Sequence, residues 1–528
     1  MHIAPPEQSQ GHISASRKFF WFVIACLVLL SGVRMAGTRA KDSQHDDHES
    51  MMLSANDRSR WAMIYSMVEH GSFSIDQVIQ DDRRWNTIDK VVHRGQDGEL
   101  HQYSSKPPLF PMLLAADYWV ISKVTGMSFP EDTVAVQWII LLITNLLPLI
   151  GFVWLVYLIT SQLTTDNWTL RYLIAAAAFG TFLTGFVTTL NNHLPAAISV
   201  LISIYAVIQI QGRKRLDARW FALAGGFGAF AVVNELPSLS FFASIIGWLL
   251  LYHFRRTLKI TIPAAGAVAI AFLGTNYWAH GSLRPPYAHR SDGDIAGVVD
   301  GFFDEHKLTM GVASKEIRTL ISDAVDTQLT PELEFVFHKS DSRRLVMLDE
   351  AANLQYAVKA KGNSLIIREW DNWYDYPGSY WLDGNRRGID IGEPSRAAYL
   401  LHMTVGHHGV FSLTPLWILS LLGCVYLLKY GETTLKQLAT MTLLLTIVCI
   451  AFYLMRPMLD RNYGGVASGF RWMFWLAPLY LITMIPTVTK WSRTRVGQGA
   501  LISILAASAF SALWGFYNPW IYPWTYAA

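Results

Sequence analysis

Cysteine is scarce in this chain, and none of it is placed for chemistry. Cys26, Cys424 and Cys449, the three present, all lie inside apolar stretches. That excludes a disulfide framework and any zinc-type spacing, so cysteine says nothing about compartment. Charge is thin as well. Asp, Glu, Lys and Arg make up 16% of residues, and the net +3 reports their sum rather than their placement. No nucleic-acid partner is expected. Internal repeats and low-complexity tracts are absent, so the chain is not a repeat array.

Apolar residues take up the difference. The chain is 52% hydrophobic and 13% aromatic, with a mean hydropathy of +0.25. A soluble protein of 528 residues rarely has positive mean hydropathy, so many bilayer segments are expected. Twenty tryptophans suit two interfacial aromatic belts. Long apolar runs occur at about 19–36, 134–160, 170–190, 194–211, 219–236, 238–254, 260–279, 411–428, 435–455, 470–488 and 498–517. Each is near the roughly 20 residues a helix needs to cross the hydrocarbon core.

The stretch "YSSKPPLFPMLLAADYWVISKV" (103–124) would be a twelfth, and the basic loops argue against it. Arg17 and Lys18 put the N-terminus inside. If 103–124 does not cross, then "GRKRLDAR" (212–219), "HFRRTLK" (253–259), "KYGETTLK" (429–436) and "TKWSRTRVGQ" (489–498) all fall on the cytoplasmic side, where Lys and Arg accumulate. If it crosses, all four flip. Eleven crossings are therefore expected, with 103–124 a helix on the outer surface. "RMAGTRA" offers small residues for signal cleavage after the first run, but an uncleaved first span is preferred. The expected order is a cytoplasmic N-terminus (1–18), a first span (19–36), an outer loop (37–133), a span bundle (134–280), an extracytoplasmic α or α+β domain (281–410) and C-terminal spans (411–528). Within 281–410, "KEIRTLISDAV" and "SRRLVMLDEAANLQYAVKA" read as helical.

Candidate chemistry lies in the outer segments. In "SANDRSRWAMIYSMVEHGSFSI", Trp61, Ile64, Tyr65 and Val68 fall at i, i+3, i+4 and i+7, a short amphipathic helix suited to the membrane surface. Asp57 sits in its first turn, where Ser54 as cap and Asp57 facing the dipole would be an ordinary helix start. "TLNNHLPAA" (189–197) exposes Asn191, Asn192 and His193 at an outer corner, and "VNELP" (233–237) puts Glu235 at another. An acid at membrane depth is functional by default, although such corners also serve capping and helix–helix hydrogen bonding. His407 and His408 precede a span at the surface. Arg456, Arg461 and Arg471 lie outside, against the inside bias, as pyrophosphate or phosphate clamps or in an interfacial ion pair with Asp460. "HDDHE" (45–49) has ligand chemistry for a divalent cation; no cofactor is otherwise expected. "WDNWYDYPGSYW" (370–381) suits sugar faces or the core of a small domain.

"DRSRWAMI" followed some fifty residues on by "YSSKPPLF" resembles the lipid-linked-sugar glycosyltransferases of the GT-C fold, nearest to the branch of lipid A aminoarabinose transferases and protein O-mannosyltransferases. That family opens its first outer loop with D-E-x-R-Y-A and continues with E-K-P-P-L. Asp57, Arg60, Ala62, Lys106, Pro107, Pro108 and Leu109 match, with Trp61 at the aromatic place. Arg58 stands where the second acid is usual, and Ser105 replaces the glutamate. The corner at 191–193 often carries an acid in that family; here it holds amides and an imidazole. The resemblance covers residues 19–125 by motif and the rest by topology.

It implies a polytopic α-helical GT-C-like protein of about eleven spans in a bacterial cytoplasmic membrane, active on the extracytoplasmic side. The implied reaction moves a sugar from a polyprenyl-phosphate donor to an extracytoplasmic acceptor, with inversion. Asp57 would be the base, Glu235 a second carboxylate, and Lys106 the holder of the lipid phosphate. Arg60, Asn192, His193, His407, His408, Arg461 and Arg471 would contact substrates. A transporter or flippase of a lipid-linked glycan is the alternative class, and predicts charges buried mid-span or broken helices in paired halves. An inactive glycan- or lipid-binding relative is a third.

Overall fold

The structure is a computed structural model, and it describes residues 13–37, 40–42, 45–301, 311–337, 344–352, 354–382 and 384–526. The chain divides into two compact units. One comprises Met1–Val68, Leu109–Phe272 and Ile389–Ala528; the other comprises Glu69–Pro108 and Leu273–Gly388.

The first unit is helical. Six helices among the described residues are long and apolar enough to cross a membrane: Ser16–Gly37, Phe129–Leu163, His193–Gly212, Leu236–His280, Thr433–Leu454 and Arg495–Trp514. A seventh is available if Arg471–Thr483 and Ile485–Trp491, bent by 46°, count as one span. The remaining expected runs also fall on helix, but shorter: Asn167–Phe179, Ala218–Asn234 and Leu416–Tyr430. Two runs merge within the 45 residues of Leu236–His280, with non-helical backbone at His253. Close helix approach depends on glycine at one point. A Cβ on Gly423 would lie 1.9 Å from the Thr483 carbonyl oxygen, so only a residue without Cβ lets those helices touch there.

Helix Ala55–Tyr65 forms where the motif predicts it, and its start is a capping box between Ser54 and Asp57. It is not the surface amphipathic helix expected. Asp57, Ser59, Arg60 and every residue from Trp61 to Tyr65 are buried, so the apolar face is accompanied by a buried polar one. The 103–124 stretch becomes a strand, Leu100–Ser104, followed by the 17-residue helix Leu109–Thr125, which is not among the candidate spans. Leu114, Tyr118 and Ile121 pack inward, while Leu113, Trp119, Val120 and Val124 stand exposed.

The second unit holds a six-stranded antiparallel sheet and a separate hairpin. The sheet runs Ile295–Asp300, Ser364–Glu369, Leu354–Lys361, Arg344–Asp349, Glu334–Phe337, Gly311–Val312 in spatial order. "KEIRTLISDAV" is the helix Lys315–Val325, capped by the Ser314 hydroxyl and burying Ile317 and Ile321. "SRRLVMLDEAANLQYAVKA" is not helical. It is two paired strands, because Leu345 and Met347 on one strand, and Val358 and Ala360 on the other, bury alternate positions in one core, a period-2 pattern that pairing stabilises over helix propensity. The hairpin pairs Lys90–Arg94 with Leu100–Ser104, Lys90 opposite Ser104.

Candidate active site

Helix Ala55–Tyr65 turns Asp57 inward, and the carboxylate is fully buried. Its Oδ1 accepts from Ser54 N at 2.9 Å and Ser54 Oγ at 3.3 Å; its Oδ2 accepts from Leu53 N at 3.0 Å and Thr189 Oγ1 at 2.6 Å. A carboxylate has about four lone-pair positions, so this one is saturated. Burial pushes its pKa up, opposed by the Thr189 hydroxyl and the Ser54 and Leu53 amides. The cap and the functional candidate are thus one group.

Three residues on, Arg60 donates through Nη2 to Asn192 Oδ1 at 2.7 Å and through Nη1 to Asn56. Asn192 in turn donates to the Asn234 carbonyl at 2.6 Å and to Glu235 Oε1 at 2.8 Å. The same Glu235 oxygen meets His193 Nδ1. Arg471 Nη1 donates to His193 Nε2 at 3.0 Å. Since arginine can only donate, that ring nitrogen must accept, and the imidazole proton sits on Nδ1 facing Glu235. Among the described residues no protein donor reaches the other Glu235 oxygen. Sequence reading placed Asn191, Asn192 and His193 exposed at a corner. Asn191 and His193 are instead buried, because the amides are spent on backbone. Asn145 and Asn191 both donate to the Thr189 carbonyl, at 2.8 and 2.9 Å, which folds the corner inward.

Two residues close the network that the sequence did not single out. Thr189 accepts from Trp520 Nε1 at 3.0 Å, and the Arg471 guanidinium lies 4.9 Å from the Trp520 ring centre. Asp57, Thr189, Trp520, Arg471, His193, Glu235, Asn192 and Arg60 therefore form a closed ring returning to the helix it began on. Thr189 lies in "TLNNHLPAA" with nothing in the sequence to reveal its partner; Trp520 lies in "WGFYNPWIYPWTYAA" (514–528), whose aromatics by themselves fit an outer membrane belt.

The other expected residues lie elsewhere. Lys106 belongs to the second unit, where its Nζ pairs with Asp89 Oδ2 at 3.1 Å. His407 is half-buried and His408 fully buried, not surface groups. They contact each other through Nδ1, and His408 stacks on Tyr463 at 4.3 Å. Burial holds both imidazoles low, His407 at about 4 and His408 at about 3. Arg461 donates to the Pro394 carbonyl at 2.8 Å, and Asp460 pairs with Arg456 at 2.8 Å rather than with Arg461. "HDDHE" lies on the strand His45–Ser50, whose side chains are outside the described residues. Among those described, no group of three or more His, Cys, Asp or Glu is placed to hold a metal.

The 370–381 segment packs as a core. Trp373 and Tyr374 are buried with Val91 and Tyr103. His93 stacks between Tyr103 at 4.2 Å and Trp373 at 4.0 Å, and Trp373 stacks on His289 at 3.5 Å. Asp371 meets His289 Nδ1 and pairs with Arg284 at 2.8 Å.

No protein-family model matches the chain, and no curated protein matches it with significance. Solved structures similar to it include the Archaeoglobus fulgidus oligosaccharyltransferase complex with Zn and sulfate, at 11% identity and TM-score 0.45, covering 95% of this chain and 53% of that one. The same archaeal enzyme tethered to an acceptor peptide gives 10% identity and TM-score 0.46, with 95% and 55% covered. The Saccharomyces cerevisiae protein O-mannosyltransferase Pmt1–Pmt2 complex bound to the sugar donor gives 10% and 0.43, with 95% and 90% covered. These are GT-C glycosyltransferases. The chain spans about half the length of the archaeal enzyme. Likeness of this degree leaves the activity to be argued from the chain's own residues.

Proposed function

We propose that this protein is a membrane glycosyltransferase that moves a sugar from a polyprenyl-phosphate donor to an extracytoplasmic acceptor hydroxyl, with inversion. The observation that carries the reading is the buried ring itself. It gathers Asp57, Arg60, Asn192, His193, Glu235 and Arg471, six of the ten candidate residues, from four separated segments. In the proposed step the acceptor oxygen bonds to the anomeric carbon while the carbon–oxygen bond to phosphate breaks. The acceptor proton passes to a carboxylate, and the lipid phosphate leaves carrying its negative charge. Arg60 and Arg471 supply the charge and donors that such a leaving group needs.

A second assignment of the base has its own support. Asp57 already accepts four hydrogen bonds and must lose one, most cheaply the 3.3 Å bond from Ser54 Oγ, before it takes a proton. Glu235 has an oxygen without a protein donor and takes a proton with no such loss. Transfer of radiolabelled sugar from extracted polyprenyl-linked donors separates the two. Asp57→Asn should slow transfer by roughly 10²–10⁴-fold if Asp57 is the base, and Glu235→Gln should do so if Glu235 is. Unchanged transfer in both folded variants would reduce the ring to scaffolding.

The proposed topology has eleven crossings, the shorter helices completing those that fall below full length, in a bacterial cytoplasmic membrane with the site outside. A cysteine at Ser104 labelled only from the cytoplasmic face would refute it.

A further inference from the structure

We propose that Trp520 is a positioning residue for the Asp57 carboxylate, acting through the hydroxyl of Thr189. This rests on the transferase reading above and names a residue that neither motif contains. Indole N–H can only donate. Trp520 Nε1 lies 3.0 Å from Thr189 Oγ1, so the hydroxyl oxygen is the acceptor there. Its single proton then has one acceptor in reach on the far side, Asp57 Oδ2 at 2.6 Å. The direction of both bonds follows from the donor inventory alone.

Each member is held from its own side. The Thr189 carbonyl receives the Asn145 and Asn191 amides. The Trp520 amide donates to Asn518 Oδ1 at 3.0 Å, and the Pro519 carbonyl accepts from Ser468 N at 2.9 Å. Trp514 Nε1 donates to the Tyr522 carbonyl at 3.1 Å. Phe186 meets the indole edge-on at 5.4 Å. The indole cannot swing away without breaking these contacts. Deprived of the indole N–H, a threonine hydroxyl turns readily to a neighbouring carbonyl instead, and Oδ2 loses its shortest donor.

The consequence is an assignment within the carboxylate. Oδ2 is clamped by a directed hydroxyl and the Leu53 amide, whereas Oδ1 has the 3.3 Å contact from Ser54 Oγ as its weakest. Oδ1 is therefore the oxygen open to exchange with an acceptor hydroxyl. The same indole lies beside Arg471, so one side chain sets the carboxylate and neighbours the cation across the ring.

The test is a double-mutant cycle on the full chain in detergent, with Trp520→Phe and Thr189→Val, read both by single-turnover sugar transfer and by thermal unfolding. Losing a hydrogen bond to a charged group corresponds to roughly tenfold or more in rate. Each single variant should slow transfer by about that factor with KM unchanged, the double variant should be no slower than Thr189→Val, and Thr189→Ser should restore most of the rate. Additive losses, or Thr189→Ser failing as Thr189→Val does, overturn the proposal. Should the wild type transfer no sugar, the transferase reading falls. The unfolding cycle then still decides whether Trp520 acts through Thr189: non-additive shifts uphold it and additive shifts sink it.

Discussion

In the ring of the helical unit, His193, Trp520 and Arg471 reach a carboxylate directly or through one hydrogen-bonded partner; around Trp373 in the other unit, His93, Tyr103 and His289 lie ring on ring. His193 uses both ring nitrogens, one toward Glu235 and one toward Arg471. His93 also uses both ring nitrogens, toward the Arg94 carbonyl and His280 Nδ1, but it meets no carboxylate. It lies sandwiched between Tyr103 and Trp373, and burial pushes its pKa down to about 4, so near neutral pH it packs uncharged. The ring of hydrogen bonds is specified by which atom donates to which, and an isosteric apolar substitute leaves buried partners unmet. The stack is specified by shape and area, where ring-for-ring exchange keeps most of what holds it. Buried histidine alone is therefore no sign of a site; a bond that ends on a buried carboxylate is the distinguishing feature.

The comparison can be broken at its strongest point first. His193→Phe keeps a ring but removes the Nδ1 donor to Glu235 and the acceptor for Arg471 Nη1, and should cost about 2–3 kcal/mol, seen as a lowered thermal midpoint and as lost sugar transfer. Trp373→Phe should cost about 1.5 kcal/mol or less. If Trp373→Phe proved the more damaging, the stack would be doing more than packing. The smallest effect concerns His101, partly exposed between Asp97 and Asp76. Burial works against its charged form, but hydrogen bonds donated to both acids, with their charges, outweigh it and raise the pKa above the usual imidazole value. Its stabilisation is present in full below the unfolded value of about 6.5 and fades as pH rises through the higher folded value. Amide exchange around residues 95–101, corrected for intrinsic rate, should quicken across that rise. Acceleration on acidification instead would reverse the sign.

The sequence carried the first half of the site well. Ser54-x-x-Asp57 announced a helix start, the turn that follows brought Arg60 onto the same side, and Glu235 was visible as an acid at a span end. What stayed hidden was pairing at a distance. Nothing in "TLNNH" says that Thr189 meets Asp57, 132 residues away, and an aromatic-rich tail reads as belt until its Trp520 is seen donating inward. Asp89 was missed for the same reason. The strand register sets Lys90 opposite Ser104, and only that brings Asp89 to Lys106. The hairpin Arg344–Asp349 with Leu354–Lys361 misled because its alanines, lysines and leucines favour helix locally, while sheet pairing decided otherwise.

The ring also orders events in time. Its bonds close loops of 132, 278 and 331 residues, and contacts so far apart along the chain are made late in folding. Until residues near 471 and 520 arrive, Asp57, His193 and Glu235 are polar groups without their full complement. A half-assembled chain thus lacks the closed network on which the proposed transfer depends.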